Sequence, residues 1–126
     1  SHSVLEHVRK YQFNDMQKEI KRILKSSGLA SHSIDFQDHL DYGLNNLRFS
    51  EQIWESNLFA NSGFYTNRIP ALKMHSIFEK IGFKIKRKSL GKWKRLPINR
   101  SCIHKEFDIY SDSELMNRTS YVLLEK

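Results

Sequence analysis

Apolar side chains at Phe13, Met16, Ile20, Ile23 and Leu24 recur at spacings of three and four, which lays one apolar stripe along a helix. The spacing predicts a helix over 14–26, with Asn14 as its N-cap and Ser26-Ser27-Gly28 breaking it. From Leu29 to Leu40 apolar positions thin out, as in a short strand running into a functional loop. Leu44, Leu47, Ile53, Trp54, Leu58 and Phe59 follow with an acidic face and predict a helix around 50–59, broken by Gly63. After Pro70, the series Met74, Ile77, Phe78 and Ile81 marks a second helix, with Gly82 at its stop. Phe83 and Ile85 then alternate with Lys84 and Lys86 in the period of a strand. Gly91 to Asn99 reads as a loop, and Thr119 to Leu124 as a β-prone run suited to the inside of a sheet.

This alternation of helices and strands implies an α/β sheet. With 126 residues and 39% hydrophobic content, the chain has enough material for one domain, 1–126, with its own core. No apolar run approaches the ~20 residues of a membrane-spanning helix, and nothing at the start has the layout of a signal peptide. A soluble, cytoplasmic protein is the expectation. The single cysteine, Cys102, allows no intrachain disulfide and no thiolate cluster for zinc. It reads either as a partly buried thiol or, lacking a supporting motif, as an isolated nucleophile.

Charge changes the picture by its distribution. The formal net charge is +7, yet residues 31–66 hold one basic and five acidic side chains, while residues 67–105 hold twelve basic and one acidic. The block Lys84, Lys86, Arg87, Lys88, Lys92, Lys94 and Arg95 could attract phosphate, nucleic acid or an anionic membrane. It could equally be a solvated strand edge, where lysines oppose edge-to-edge pairing.

Four segments carry a family resemblance. Ser3-Val4-Leu5-Glu6-His7-Val8 resembles the passage from the fourth strand into the next helix of class I S-adenosylmethionine-dependent methyltransferases of the type 11 group. Phe78-Glu79-Lys80-Ile81-Gly82-Phe83 resembles their helix-to-strand junction. Ser31-His32-Ser33-Ile34-Asp35-Phe36-Gln37-Asp38-His39 and Phe64-Tyr65-Thr66-Asn67-Arg68-Ile69 resemble segments found in some bacterial members. The resemblance covers nearly the whole chain. It implies the C-terminal half of a doubly wound, Rossmann-like sheet, with its last strands mixed in direction and the final strand antiparallel. It also implies a crevice at the carboxyl ends of the strands, where open α/β sheets hold ligands.

The departure from the family is as informative. None of the five glycines forms a G-x-G pair, and no acidic residue ends a second strand. The resemblance therefore implies that the cofactor-binding half, roughly the first hundred residues of such an enzyme, is absent. On this expectation the chain alone is inactive and holds an incomplete site for S-adenosylmethionine.

Within the crevice that the resemblance implies, Ser3, Glu6 and His7 line the cofactor side, and His7, Asp38 and His39 are the proton-transfer candidates. His32, Tyr65, Asn67 and Arg68 are the acceptor-binding candidates, with Arg68 offering a bidentate fork to a carboxylate or phosphate. Each has a plainer alternative: a helix-entry cap for Glu6 and His7, loop hydrogen bonds for the His32–His39 cluster, and a surface ion pair with the acidic stretch before it for Arg68. His32, Asp35, Asp38 and His39 together suggest a metal, but no tight pair of ligands at helical spacing is present, and no metal is assigned. Tyr42, Asn45, Asn46 and Arg48 could join a lid with Tyr65, Asn67 and Arg68. Trp54 and Phe59 read as core, and Trp93 as a stacking platform or a loop anchor.

Two functions compete. One is a methyltransferase fragment whose parent methylates a small-molecule, saccharide or lipid-linked acceptor. The other is a non-enzymatic basic module for nucleic acid or another polyanion. Half of a doubly wound sheet would also leave an edge exposed, which predicts self-association.

Overall fold

A computed structural model describes all of residues 1–126. Helices α1 (Lys10–Ile23) and α4 (Ala71–Ile81) lie with strands β1 (Leu29–Asp35), β2 (Lys84–Lys92) and β3 (Asn117–Glu125). Three one-turn helices, α2 (Glu51–Trp54), α3 (Asn57–Ala60) and α5 (Asp112–Leu115), complete the regular structure with several 3-10 turns. The sheet order is β1-β3-β2, and β3 pairs antiparallel with both neighbours. β1 and β2 therefore run in the same direction. On the free side of β1, the segment 1–3 pairs in parallel through His2 and Ser33, with Ser3 N–H donating to the Ser33 carbonyl at 2.9 Å. The sheet is mixed only because of this bridge.

Alternation along β1 and β3 turns Ala30, Ile34, Val122 and Leu124 to one face, where they meet Phe13 of α1 and Met74 and Phe78 of α4 in the main core. Phe13 and Phe78 lie with ring centroids 6.0 Å apart. The opposite face is less covered, with Leu29 and Tyr121 exposed on it. No helix is long and apolar enough to cross a membrane.

The predicted elements are present, but several ends differ. α1 begins at Lys10, so Asn14 lies inside it rather than capping it. Its N-cap, Arg9, makes no side-chain cap, and the Tyr65 hydroxyl instead accepts the Lys10 N–H at 3.2 Å. At the other end the Lys126 ammonium donates to the Leu24 carbonyl at 2.6 Å, and the helix stops at Ile23 rather than 26. Both ends are thus fixed by residues distant in sequence, which periodicity does not register. The single helix predicted over 50–59 is two: α2, capped by Ser50, and α3, started by Ser56 in extended conformation. α4 ends as predicted, with Gly82 at φ +93°.

β2 continues through Gly91, which composition marks as loop. Gly91 faces Thr119, and a Cβ there would collide with the Thr119 hydroxyl, so glycine permits the close pairing. The basic block falls largely on β2, an edge strand, with Lys86 3.5 Å from Glu125. That is the arrangement of a solvated edge. Residues 93–116 are compact rather than a bare loop: Ile98, Ile103, Phe107 and Leu115 build a second core with Leu44 and Leu47. A Ser111–Glu114 capping box fixes the start of α5.

Candidate functional site

The segment 1–3 and β1 run in parallel and deliver Glu6, His7 and Asp35 to the same end of the sheet. The loop after β1 brings His39 to His7. Their rings stack with centroids 5.0 Å apart and planes inclined by 13°, and the two Nε2 atoms are 3.4 Å apart. His7 Nδ1 lies 3.0 Å from the Tyr65 carbonyl oxygen, which can only accept, so neutral His7 carries its proton on Nδ1. Its unprotonated Nε2 then lies 3.4 Å from His39 Nε2. Both histidines are exposed, so the pair presents a basic nitrogen and a mobile proton to solvent.

Asp38, buried and seven residues past Ser31, does not join them. Its Oδ1 accepts from the N–H groups of Leu40 at 2.9 Å and Asp41 at 2.8 Å, and its Oδ2 accepts from Asn45 N–H. The carboxylate folds the loop that carries His39.

Asn67 and Arg68 perform the same service for other segments. The Asn67 amide donates to the carbonyls of Leu5 at 2.7 Å and Val8 at 3.0 Å, and its N–H donates to the Glu6 carbonyl at 2.7 Å. The turn bearing Glu6 and His7 is therefore clamped by one side chain. Arg68, with φ +55°, donates to the carbonyls of Asn46 and Phe49 at 3.0 and 2.7 Å and to the Glu51 carboxylate at 2.8 Å. Its guanidinium also lies over the rings of Trp54 and Phe107, at 5.3 and 5.0 Å. Burial lowers its pKa and Glu51 opposes that shift. The plainer alternative is a surface ion pair with the acidic stretch before it; the pair with Glu51 is present, its guanidinium end buried and its carboxylate end part-exposed.

Tyr65 is buried, its hydroxyl donating to Glu55 at 2.9 Å, and burial raises its pKa. His32 faces α4: its ring stacks on Phe78 at 6.1 Å and its Nδ1 meets the Ser1 hydroxyl at 2.9 Å. It is on the core side of β1, apart from the His7–His39 pair. Ser3 is exposed at φ +48°, held by its backbone bond to Ser33. Tyr42 is exposed, also with positive φ, its carbonyl accepting from Gln37 at 2.8 Å.

Glu6 points inward. It is 3% exposed, burial raises its pKa, and its Oε2 has no hydrogen-bond partner. It lines a cavity of about 30 Å³ shared with Asp35, Asn46, Asn67, Arg68 and Asn117. Asn117, at the start of β3, is a wall residue that the motifs did not single out. Its signal was a polar residue at the entry to an otherwise β-prone strand.

The chain matches no known family model and no curated protein. Among solved structures it is similar to part of a presumed O-methyltransferase from Nostoc punctiforme PCC 73102, at 13% identity and a TM-score of 0.46. The match covers 99% of this chain and 30% of that one. A likeness at that score does not bear on activity.

Proposed function

We propose that this chain is the acceptor-side part of a class I methyltransferase, in which His7, relayed by His39, takes the proton from the acceptor's hydroxyl or amine. The observation that carries the reading is the His7–His39 contact at the carboxyl ends of two parallel segments. Open α/β sheets place their ligands there. The motif words around Ser3–Val8, His32–His39 and Tyr65–Arg68 support it, and so does a final strand antiparallel to its neighbours.

The methyl donor implied is S-adenosylmethionine, and the residues present do not form its site. Glu6, which the resemblance placed on the cofactor side, is turned into a cavity of about 30 Å³, far too small for an adenosyl group. No glycine pair forms a turn against which the donor's backbone-bound end could lie. What this chain supplies is the acceptor side: His7 held in one tautomer by Tyr65, His39 beside it, and Asn67 fixing the turn between. With an activated methyl donor, alignment and removal of a proton are the remaining demands on the protein.

The test is transfer of labelled methyl from S-adenosylmethionine by the complete reading frame containing these residues, against a panel of hydroxyl and amine acceptors. Transfer to any of them supports the reading. A frame lacking a strand and glycine-rich turn, or one that transfers nothing, refutes it.

A further inference from the structure

Seven cations lie between Lys84 and Arg95, all of them exposed, and only Lys86 is paired, with Glu125 at 3.5 Å. Cations elsewhere find partners, as Lys10 does with Glu51, Lys18 with Asp15 and Arg22 with Glu19. No Asp or Glu occurs between Glu79 and Glu106, so nothing nearby in the sequence neutralises the run. Edge protection explains a lysine or two on β2. It does not explain why the run continues past Lys92, the last residue paired with β3, into Lys94 and Arg95, where there is no strand edge to guard.

The strand presents these charges by its geometry. With the order β1-β3-β2, the outer side of β2 is paired with no other strand. A register shift between Ile85 and Arg87 leaves Lys86 unpaired on a bulge and sets Arg87 opposite Leu123. Ile85, opposite Leu124, packs on the core, and unbroken alternation would send Arg87 to the same face. The bulge turns it instead to the less covered face, where Lys84 lies opposite Glu125. Lys88, opposite Val122, flanks the free edge from the other side. At ~3.3 Å per residue, cations follow one another over roughly 26 Å from Lys84 to Lys92.

The track ends on an aromatic ring. Trp93 is half-buried against the second core, and with Lys94, Arg95, Pro97 and Asn99 it lines an open hollow of about 640 Å³. Its backbone N–H donates to the Met116 carbonyl at 3.1 Å, which holds the residue at the strand's exit. An indole among unpaired cations, at the end of a line of unpaired cations, fits a chain of phosphates that carries planar rings. Bases of a single strand offer free faces to a tryptophan, whereas those of a duplex are already stacked on one another. A membrane surface takes up apolar side chains beside the cations, and no large apolar side chain is exposed between residues 84 and 100.

We propose that β2 and the loop 93–95 form a binding surface for single-stranded nucleic acid. Its phosphates lie along Lys84, Arg87, Lys88 and Lys92, and a base stacks on Trp93 beside Lys94 and Arg95. A track of this length suits a site of about four nucleotides or more. The inference does not rest on the methyl-transfer reading, since neither His7 nor His39 takes part.

The experiment is a fluorescence anisotropy titration of a labelled deoxythymidine decamer with the chain, with polyglutamate and phosphatidylserine vesicles as competing polyanions. The expected result is saturable binding that weakens about fiftyfold between ~50 and ~200 mM salt, the dependence for about four phosphates of a single strand. Replacing both Lys94→Gln and Arg95→Gln should weaken it about tenfold or more and reduce the salt slope by about 1.4. Trp93→Leu should weaken it about tenfold with the slope unchanged. If Trp93→Leu does not fold, quenching of tryptophan fluorescence by the decamer, lost in Trp93→Phe, serves in its place, because Trp54 is buried. No saturable binding at ~50 mM salt, an equal affinity for polyglutamate, or variants that bind like the parent would overturn the proposal. Preference for the vesicles would overturn it too and assign the strip to a membrane. Decamer binding by a chain whose complete reading frame transfers no methyl keeps this surface and refutes only the function proposed above.

Discussion

His7 and His39 approach through their Nε2 atoms at 3.4 Å, and the Tyr65 carbonyl on the far side of His7 holds the His7 proton on Nδ1. An exposed imidazole pair of this kind contributes little to the core, so its removal separates chemistry from folding. On the proposed function, His7→Ala and His39→Ala are expected to lower methyl transfer by the complete reading frame about 10²- to 10⁴-fold, the usual worth of a positioned proton acceptor. Stability should change by less than about 1 kcal/mol. Full activity in both variants would remove the pair from the mechanism.

Asp38 holds the loop that delivers His39. Its replacement by alanine leaves the N–H groups of Leu40, Asp41 and Asn45 without their acceptor. The expected loss is about 3 kcal/mol in urea denaturation, with Asp38→Asn costing less because one acceptor oxygen survives. A loss below about 0.5 kcal/mol would show that the loop is held by something else.

Arg68→Lys keeps the charge and loses the planar fork that reaches Asn46, Phe49 and Glu51 together. About 3 kcal/mol of destabilisation should follow, since a buried carbonyl and a carboxylate lose donors. The start of α2 should loosen, readable as faster amide exchange at Trp54, whose N–H donates to the Ser50 carbonyl. A lysine variant as stable as the parent would mean that the fork's geometry is unimportant.

His32 makes stability depend on acid. Burial lowers its pKa from 6.5 to about 4. The unfolded chain takes up the proton at the higher value and the folded chain only at the lower, so between them acid favours unfolding. The contribution of the neutral ring is present in full above the higher pKa. About 3 kcal/mol of it is lost as pH falls through the lower one. His32→Phe should flatten that slope, and an unchanged slope in denaturation across the window would assign the acid sensitivity elsewhere.

The less covered face of the sheet, with Leu29 and Tyr121 exposed, leads us to propose that the isolated chain self-associates. Light scattering should show mass rising with concentration, and Tyr121→Lys should abolish the rise. A monomer throughout would contradict this.

Much of this was legible in the sequence where local chemistry decides structure. α4 and Gly82, β2 beside it, and β3 each follow from period or from one special residue. The ends of α1 were not legible, because Tyr65 and Lys126 reach them from distant parts of the chain. Among the candidate site residues, His7 and His39 meet, whereas Asp38, Asn67 and Arg68 are buried clamps. Residue type alone does not separate these cases: an amide or guanidinium that holds backbone in the interior looks, in sequence, like one waiting for a ligand.

The central position of β3 sets a timetable for the growing chain. β1 and β2 share no hydrogen bonds and meet only through the strand made last. At ribosomal speeds of ~5–20 residues per second, roughly five to twenty seconds separate the completion of β1 from that of its partner. Through that interval the edge of β1 is open to any neighbouring chain, joined by that of β2 once residue 92 is made, and the three strands pair after β3 has been made rather than as the chain grows.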